Sequence, residues 1–215
     1  MAQTLKIDLF TDFVCPWCLI GSARLDRVLA RLPEGIDIDV ENHAFFLDPD
    51  TPPEGVVVAD MLRARYGTEP EAMWARVEEQ AEISGITLDL SRQPRMKPTV
   101  RAHTLVRHAR PFGTQHNLAN AIAAAYFLDH RDIDDTSVLA ELAELHGMDR
   151  EDALAVMENE AERATTANLA QAAAEKGIRG VPFFVFGARF GLSGAQAEEV
   201  IEDAIARTLD EEPAQ

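Results

Sequence analysis

Cysteine is nearly absent from this chain, with two in 215 residues. Two thiols exclude a disulfide framework, and they fall short of the four ligands a closed structural zinc site needs unless histidines complete the set. Basic residues are also scarce, 20 Lys and Arg against 37 Asp and Glu, which leaves a formal charge of −17 and a pI near 4.6. That balance repels phosphate backbones and anionic lipid headgroups, so no nucleic-acid partner and no membrane partner is expected. No apolar run approaches about 18 residues. Met1-Ala2-Gln3-Thr4 leads straight towards the first strand pattern without the basic and apolar regions of a secretory signal. The expected location is cytoplasmic, where disulfides are transient rather than structural.

What the chain does have is concentrated in one place. Both cysteines fall in Cys15-Pro16-Trp17-Cys18, directly after the strand-like run Leu5-Lys6-Ile7-Asp8-Leu9-Phe10 and at the start of a helix-like stretch. Residues i and i+3 on a first helical turn share a face, which lets two sulfurs approach the separation a disulfide requires. The first cysteine also meets unpaired N–H groups and the positive end of the helix dipole, a setting that favours thiolate over thiol. Cys15 is therefore the candidate nucleophile and Cys18 the resolving thiol, with Pro16 and Trp17 shaping the dipeptide between them. Zinc lacks a second ligand pair: the six histidines are scattered, and His103 and His108 are five apart and poorly placed for joint ligation. No metal is expected. Asp12, three residues before Cys15, is a candidate proton acceptor for Cys18, or equally a carboxylate that caps the helix entry.

The pattern along the chain is β-α-β, a helical stretch, then α-β-β-α. Apolar residues at helical spacing over 19–32 end at Pro33-Glu34-Gly35, and Ile36, Ile38 and Val40 alternate with acidic residues as in a half-buried strand. The turn-rich segment 48–55 marks a boundary. Helical patterns follow at 57–65, 71–84, 100–110, 117–128, 137–145 and 150–168, then 169–176. Gly180-Val181-Pro182-Phe183-Phe184-Val185-Phe186 reads as a short apolar strand, Gly187-Ala188-Arg189-Phe190 as a hairpin turn and strand, and 195–209 as a final amphipathic helix with an N-cap at or near Ser193. The expected fold class is α/β, a mixed central sheet flanked by helices. Its two parts, residues 1–55 and 166–215, are separated by an all-helical insertion, residues 56–165.

This order resembles the thioredoxin fold with the DsbA-type helical insertion, and within the DsbA family the FrnE-like branch. The residues that carry the resemblance are Asp12 to Cys18 with Ile20-Gly21, Phe45-Phe46-Leu47-Asp48-Pro49, Ala125-Tyr126-Phe127, Gly180 to Phe184, and Ser193-Gly194-Ala195-Gln196. The chain departs from the branch before Ala102-His103, where Met96-Lys97-Pro98-Thr99 stands in place of the usual Asn; His103 is read only as a helix residue. The resemblance implies a cis Val181–Pro182 bond facing the cysteines, with Pro16, Trp17, Val181 and Pro182 binding substrate. It implies a thiol-disulfide oxidoreductase of oxidase or isomerase type acting on a disulfide-containing protein or a small thiol. No cofactor is expected beyond glutathione as redox partner or cosubstrate, and the oligomeric state is open. A second expectation comes from neighbouring relatives, 2-hydroxychromene-2-carboxylate isomerases and kappa-class glutathione transferases, which bind glutathione; in that case Ser193, Gly194, Ala195 and Gln196 would hold it at a helix N-terminus. A client-binding holdase, independent of the sulfurs, ranks third.

Overall fold

The computed structural model describes residues 3–210, with side chains from residue 4. Its centre is a four-stranded sheet in the order β2-β1-β3-β4, formed by β1 (Gln3–Thr11), β2 (Ile36–Ala44), β3 (Phe183–Phe186) and β4 (Phe190–Ser193). β1 pairs parallel with β2, across the helix α1 (Pro16–Leu29), and antiparallel with β3, which pairs antiparallel with β4. The sheet is therefore mixed, as the alternation of strand patterns with one helix and one hairpin required. The β3–β4 hairpin turns through Gly187 and Ala188, both at positive φ; a Cβ on residue 187 would meet Thr208 Cγ2 at 2.7 Å.

Between β2 and β3 come α2 (Val58–Tyr66), α3 (Glu71–Ile83), α4 (Val100–His108), α5 (Gln115–Phe127), α6 (Thr136–Leu145), α7 (Arg150–Glu158) and α8 (Glu160–Glu175), and α9 (Glu198–Asp210) closes the described chain. Three expectations are corrected here. The strand that opens at Gly180 in the sequence pattern begins only at Phe183, after the cis Val181–Pro182 bond. The helical pattern over 150–176 is two helices broken at Asn159, whose side chain accepts from the N–H groups of Ala161 and Glu162 and so starts α8. The last helix begins at Glu198, not at residue 195, and Ser193 is the last residue of β4 rather than its cap. The carbonyls of Ala195 and Gln196 are drawn off the helical path by the Arg24 guanidinium, at 2.7 and 3.2 Å.

Two apolar cores meet on α1. Leu5, Ile7 and Leu9, alternate residues of β1 and all fully buried, pack with Leu25 and Val28 of α1, Phe184 and Phe186 of β3, and Ile201 and Ile205 of α9. Phe13, Leu19 and Ile20 instead join the helical core built around Leu105, Ile122, Tyr126 and Leu139. Burial of each such side chain contributes about 1.5–3 kcal/mol, so the first turns of α1 are fixed by the helical layer and its last turns by the sheet.

Gly21 sits where α1 passes under the Val181–Pro182 loop: an added Cβ would lie 2.8 Å from Pro182 Cγ and 3.3 Å from Phe184 Cζ. Gly21→Ala gains about 1 kcal/mol of helix propensity but overpacks the contact at a cost of about 1–3 kcal/mol. The expected outcome is a net loss of stability, read as a lower urea midpoint with an unchanged m-value.

Candidate active site

β1 ends at Thr11, and the chain turns through Asp12 into α1. The Asp12 carbonyl accepts from the Cys15 N–H at 3.1 Å, and the Cys15 carbonyl accepts from the N–H of Cys18 at 2.9 Å. Cys15 is the N-cap of α1, with extended backbone and no side-chain cap bond, and Pro16 occupies the first turn, where its missing N–H costs nothing. The sulfur of Cys15 thus stands where a capping oxygen normally would, beside the open amides of the first turn. Cys15 and Cys18 are free thiols 3.3 Å apart.

The Val181–Pro182 bond is cis, and the Cys15 thiol donates to the Val181 carbonyl at 3.7 Å. Cys15, Pro16, Trp17 and Val181 all line one cavity of about 300 Å³, walled mainly by apolar side chains of the helical layer, among them Met61, Leu62 and Trp74. Cys18 lies behind it, fully buried. Burial pushes its thiol well above the ordinary range, and the neighbouring Cys15 sulfur and the Asp12 carboxylate add to the effect, while a backbone hydrogen bond from Asp12 opposes it.

Asp12 is 2% exposed, so it is no solvated carboxylate. Its Oδ2 accepts from the Leu47 N–H at 2.9 Å, tying the segment after β2 to the site rather than capping α1. Its Oδ1 has no hydrogen-bond partner and faces His103 Nε2, equally unpartnered, at 3.5 Å. His103, 4% exposed, lies between Phe13 and Phe46, with ring centroids 4.3 and 5.5 Å away. It is a residue of α4, as its helical context suggested, and the sequence offered no reason to connect it with Asp12.

Ser193 to Gln196 are brought beside the same loop. Gly194 donates to the Pro182 carbonyl at 2.8 Å, and Gln196 Nε2 donates to the Ser193 carbonyl. Arg24, 6% exposed, ties this segment to α3 through Ser84 Oγ at 2.9 Å and Gln80 Oε1 at 3.0 Å. It was not singled out in the sequence, because an arginine on an amphipathic helix reads as solvated. The one potential metal-ligand cluster among the described residues, Asp8, Glu41 and His43, is already paired: the Lys6 ammonium lies 3.4 Å from Asp8 and 3.1 Å from Glu41, and His43 Nε2 lies 2.8 Å from Asp8.

A mixed sheet with a paired thiol at the mouth of its first helix and a cis-proline loop across from it is a DsbA-like thiol oxidoreductase fold. The chain belongs to the DSBA-like thioredoxin domain family, which it matches over residues 6–206. It is similar to a probable DsbA oxidoreductase, SCO1869, from Streptomyces coelicolor, at 30% identity and a TM-score of 0.86 over 98% of this chain and 93% of that one. It is similar to the uncharacterized protein YwbO of Bacillus subtilis (strain 168), 26% identical over 95% of this chain and 97% of its relative. A 2-hydroxychromene-2-carboxylate isomerase shares the fold, with a TM-score of 0.72 at 18% identity over 94% and 95% of the two chains.

The raised Cys18 thiol makes stability depend on pH. Between the unfolded value near 9.0 and the higher folded one, the native state keeps a proton that the unfolded chain has lost. The stabilisation is therefore full below about pH 9 and falls as pH rises, by up to about 1.4 kcal/mol per pH unit. Urea unfolding of the reduced protein should show this decline between about pH 9 and about pH 10, and Cys18→Ser should flatten it.

Proposed function

We propose that the protein is a thiol-disulfide oxidoreductase whose working groups are Cys15 and Cys18. The observation that carries the reading is the 3.3 Å approach of the two thiols, with Cys15 alone opening onto a cavity. Cys15 thiolate attacks a substrate disulfide, forming a mixed disulfide and releasing one substrate thiolate. Cys18 then attacks the Cys15 sulfur, releasing the second thiolate and leaving the Cys15–Cys18 disulfide; the substrate gains two electrons and the protein loses them. In the opposite direction the Cys15–Cys18 bond oxidises a dithiol. Pro16, Trp17, Val181 and Pro182 border the reacting sulfur, and Asp12 takes the proton that Cys18 must lose.

Two features support dithiol chemistry over a glutathione-dependent isomerisation. The first position of the motif is a cysteine paired with a second one, and Glu199 in the first turn of α9 opposes a bound carboxylate beside Ser193 to Gln196, its neighbour Glu198 being ion-paired with Arg27 and Arg31. The apolar cavity suits an uncharged side chain flanking the substrate disulfide. A cytoplasmic setting agrees with the reading; among the described residues no helix is long and apolar enough to cross a membrane.

Equilibration in graded glutathione buffers, with free thiols trapped by an alkylating mass tag, tests this. A reversible two-electron transition is expected; a midpoint of about −120 to −180 mV marks an oxidase or isomerase and one near about −270 mV a reductase. Cys15→Ser should abolish turnover of an insulin disulfide, and Cys18→Ser should accumulate a glutathione adduct on Cys15. Absence of any intramolecular disulfide would overturn the proposal in favour of glutathione-dependent chemistry.

A further inference from the structure

Resolution of the mixed disulfide requires a proton to leave Cys18, and Cys18 is sealed from the cavity that receives substrate. The side chain nearest to that task is incomplete by itself. Asp12 Oδ2 is committed to the Leu47 N–H, and Oδ1 is buried without a hydrogen bond. A buried carboxylate oxygen left this way bears its desolvation cost uncompensated. Among the described residues the polar atom facing it is His103 Nε2, itself orphaned, 3.5 Å away across a gap that one proton would bridge. The two residues come from separate layers, Asp12 from the end of the central strand and His103 from α4, and both side chains are 3% exposed.

We infer that His103 is a positioning residue for the redox step: it shares with Asp12 the proton that Cys18 releases, so that Oδ1 and Nε2 together form a one-proton acceptor. The inference rests on the dithiol reading above. In the resolving step the Cys18 sulfur bonds to the Cys15 sulfur, the bond from Cys15 to the substrate sulfur breaks, and the substrate leaves as a thiolate that is protonated from solvent. Oδ1 makes no hydrogen bond to the Cys18 thiol in the reduced protein, so the Cys18 proton reaches it through a water and is then held between Oδ1 and Nε2, with His103 carrying its own proton on Nδ1. Reduction of the Cys15–Cys18 bond by a second thiol returns the proton to Cys18 and restores the starting state.

The surroundings suit this division. His103 also lines a cavity of about 420 Å³ between β2 and the helices α4 and α8, which has no lining residue in common with the cavity at Cys15. His103 thus meets solvent on a side away from the Cys15 cavity, whereas the cavity that Asp12 lines shares Val14, Asp48 and Met96 with the Cys15 cavity. The ionisable groups around Asp12 are Cys15 and Cys18 of α1, His103 of α4 and Tyr126 of α5; burial, with a contribution from Asp12, pushes the Tyr126 hydroxyl far up, so it stays protonated. On the side of His103 the cavity presents Glu41 and His43 from β2, Arg107 and Arg110 at the end of α4 and just after it, and Lys176 after α8. The cavity that Asp12 lines adds Asp48 and Lys97.

The test is rapid mixing of reduced protein with oxidised glutathione, acid quench and mass analysis, from about pH 6 to about pH 8. Attack by Cys15 is the phase that depends on glutathione concentration, and resolution by Cys18 is the phase that does not. His103→Phe keeps a ring between Phe13 and Phe46, and His103→Gln keeps a hydrogen-bonding group that cannot hold a proton at these pH values. Both, like Asp12→Asn, should slow resolution at least about tenfold at the acid end, with a rate that rises about tenfold per pH unit. The attack phase should stay within about twofold of the parent, and Asp12→Asn with His103→Phe should be no slower than the slower single variant. Wild-type resolution kinetics in both His103 variants, with slowing only in Asp12→Asn, would mean that Asp12 acts alone and overturns the inference. Equal slowing of both phases with a lowered melting temperature would assign His103 a packing role and also overturn it. An unmodified protein that forms the glutathione adduct but never the Cys15–Cys18 disulfide would remove the dithiol reading itself.

Discussion

The register of β1 against β3 is the constraint on which the site depends. β1 is paired on both edges, parallel to β2 along its whole length and antiparallel to β3 through Ile7 to Phe10. With Phe10 opposite Phe183, the residues leaving β1 and those entering β3 are brought to the same end of the sheet. The first become Asp12 and Cys15, and the second are Val181 and Pro182, so the contact from the Cys15 thiol to the Val181 carbonyl follows from the ladder. A one-residue slip would also turn Leu5, Ile7 and Leu9 out of the core. The burial that fixes the fold therefore fixes the site to within a residue.

Electrostatics around Cys18 follow from the same burial. An Asp12 carboxylate and a Cys18 thiolate in one dry region would repel each other, and each alone already bears the cost of desolvation. At most one of them is comfortably charged at a time. On the proposed chemistry this is the condition under which a proton moves between them when the disulfide forms; burial itself does most to hold the thiol above its ordinary range, with Cys15 next and Asp12 a smaller contributor. The Leu47 N–H stabilises the charged carboxylate from one side, and His103 lies against it on the other. Because Leu47 follows β2 and His103 belongs to the helical layer, three stretches of chain remote in sequence converge on one carboxylate.

What was legible in the sequence was what is local or periodic. Cys15 to Cys18 are neighbours in the chain, β1 and β2 announce themselves by alternation, and the apolar run to Phe186 marks a strand, although β3 begins only at Phe183, after the cis Val181–Pro182 bond. Most helix boundaries over 57–145 lie within two residues of their expected places, because each is punctuated by Gly, Pro or an acidic cap. The errors have tertiary causes. An Asn within an Ala-rich helical pattern gave no warning that it would cap a second helix, and the start of α9 is delayed because a buried Arg24 claims the carbonyls of Ala195 and Gln196. Arg24 and His103 were invisible for one reason. Each sits on a helix whose pattern accounts for it without function, and its partners lie more than 50 residues away in the chain. The wall of the cavity facing Cys15 was equally hidden, since α2 and α3 read as ordinary amphipathic helices.

That wall bears on which disulfides can reach Cys15. A net charge of −17 disfavours acidic partners at long range, but at physiological ionic strength charges separated by more than about 8 Å are largely screened. Long-range repulsion therefore acts on the rate of encounter more than on the stability of the encounter complex. Contact in the cavity is not screened: seating one apolar side chain against Trp17, Met61 and Trp74 contributes about 1.5–3 kcal/mol, about a tenfold to hundredfold gain in affinity. The cavity, at about 300 Å³, accommodates one or two side chains and not a folded segment. An extended or small substrate with an apolar group next to its disulfide satisfies both requirements, because it can place that group in the cavity while its sulfur meets Cys15 beside Val181. A large globular client would have to present such a disulfide on a protruding or unfolded stretch, so selection by the cavity is selection for local exposure as well as for apolarity.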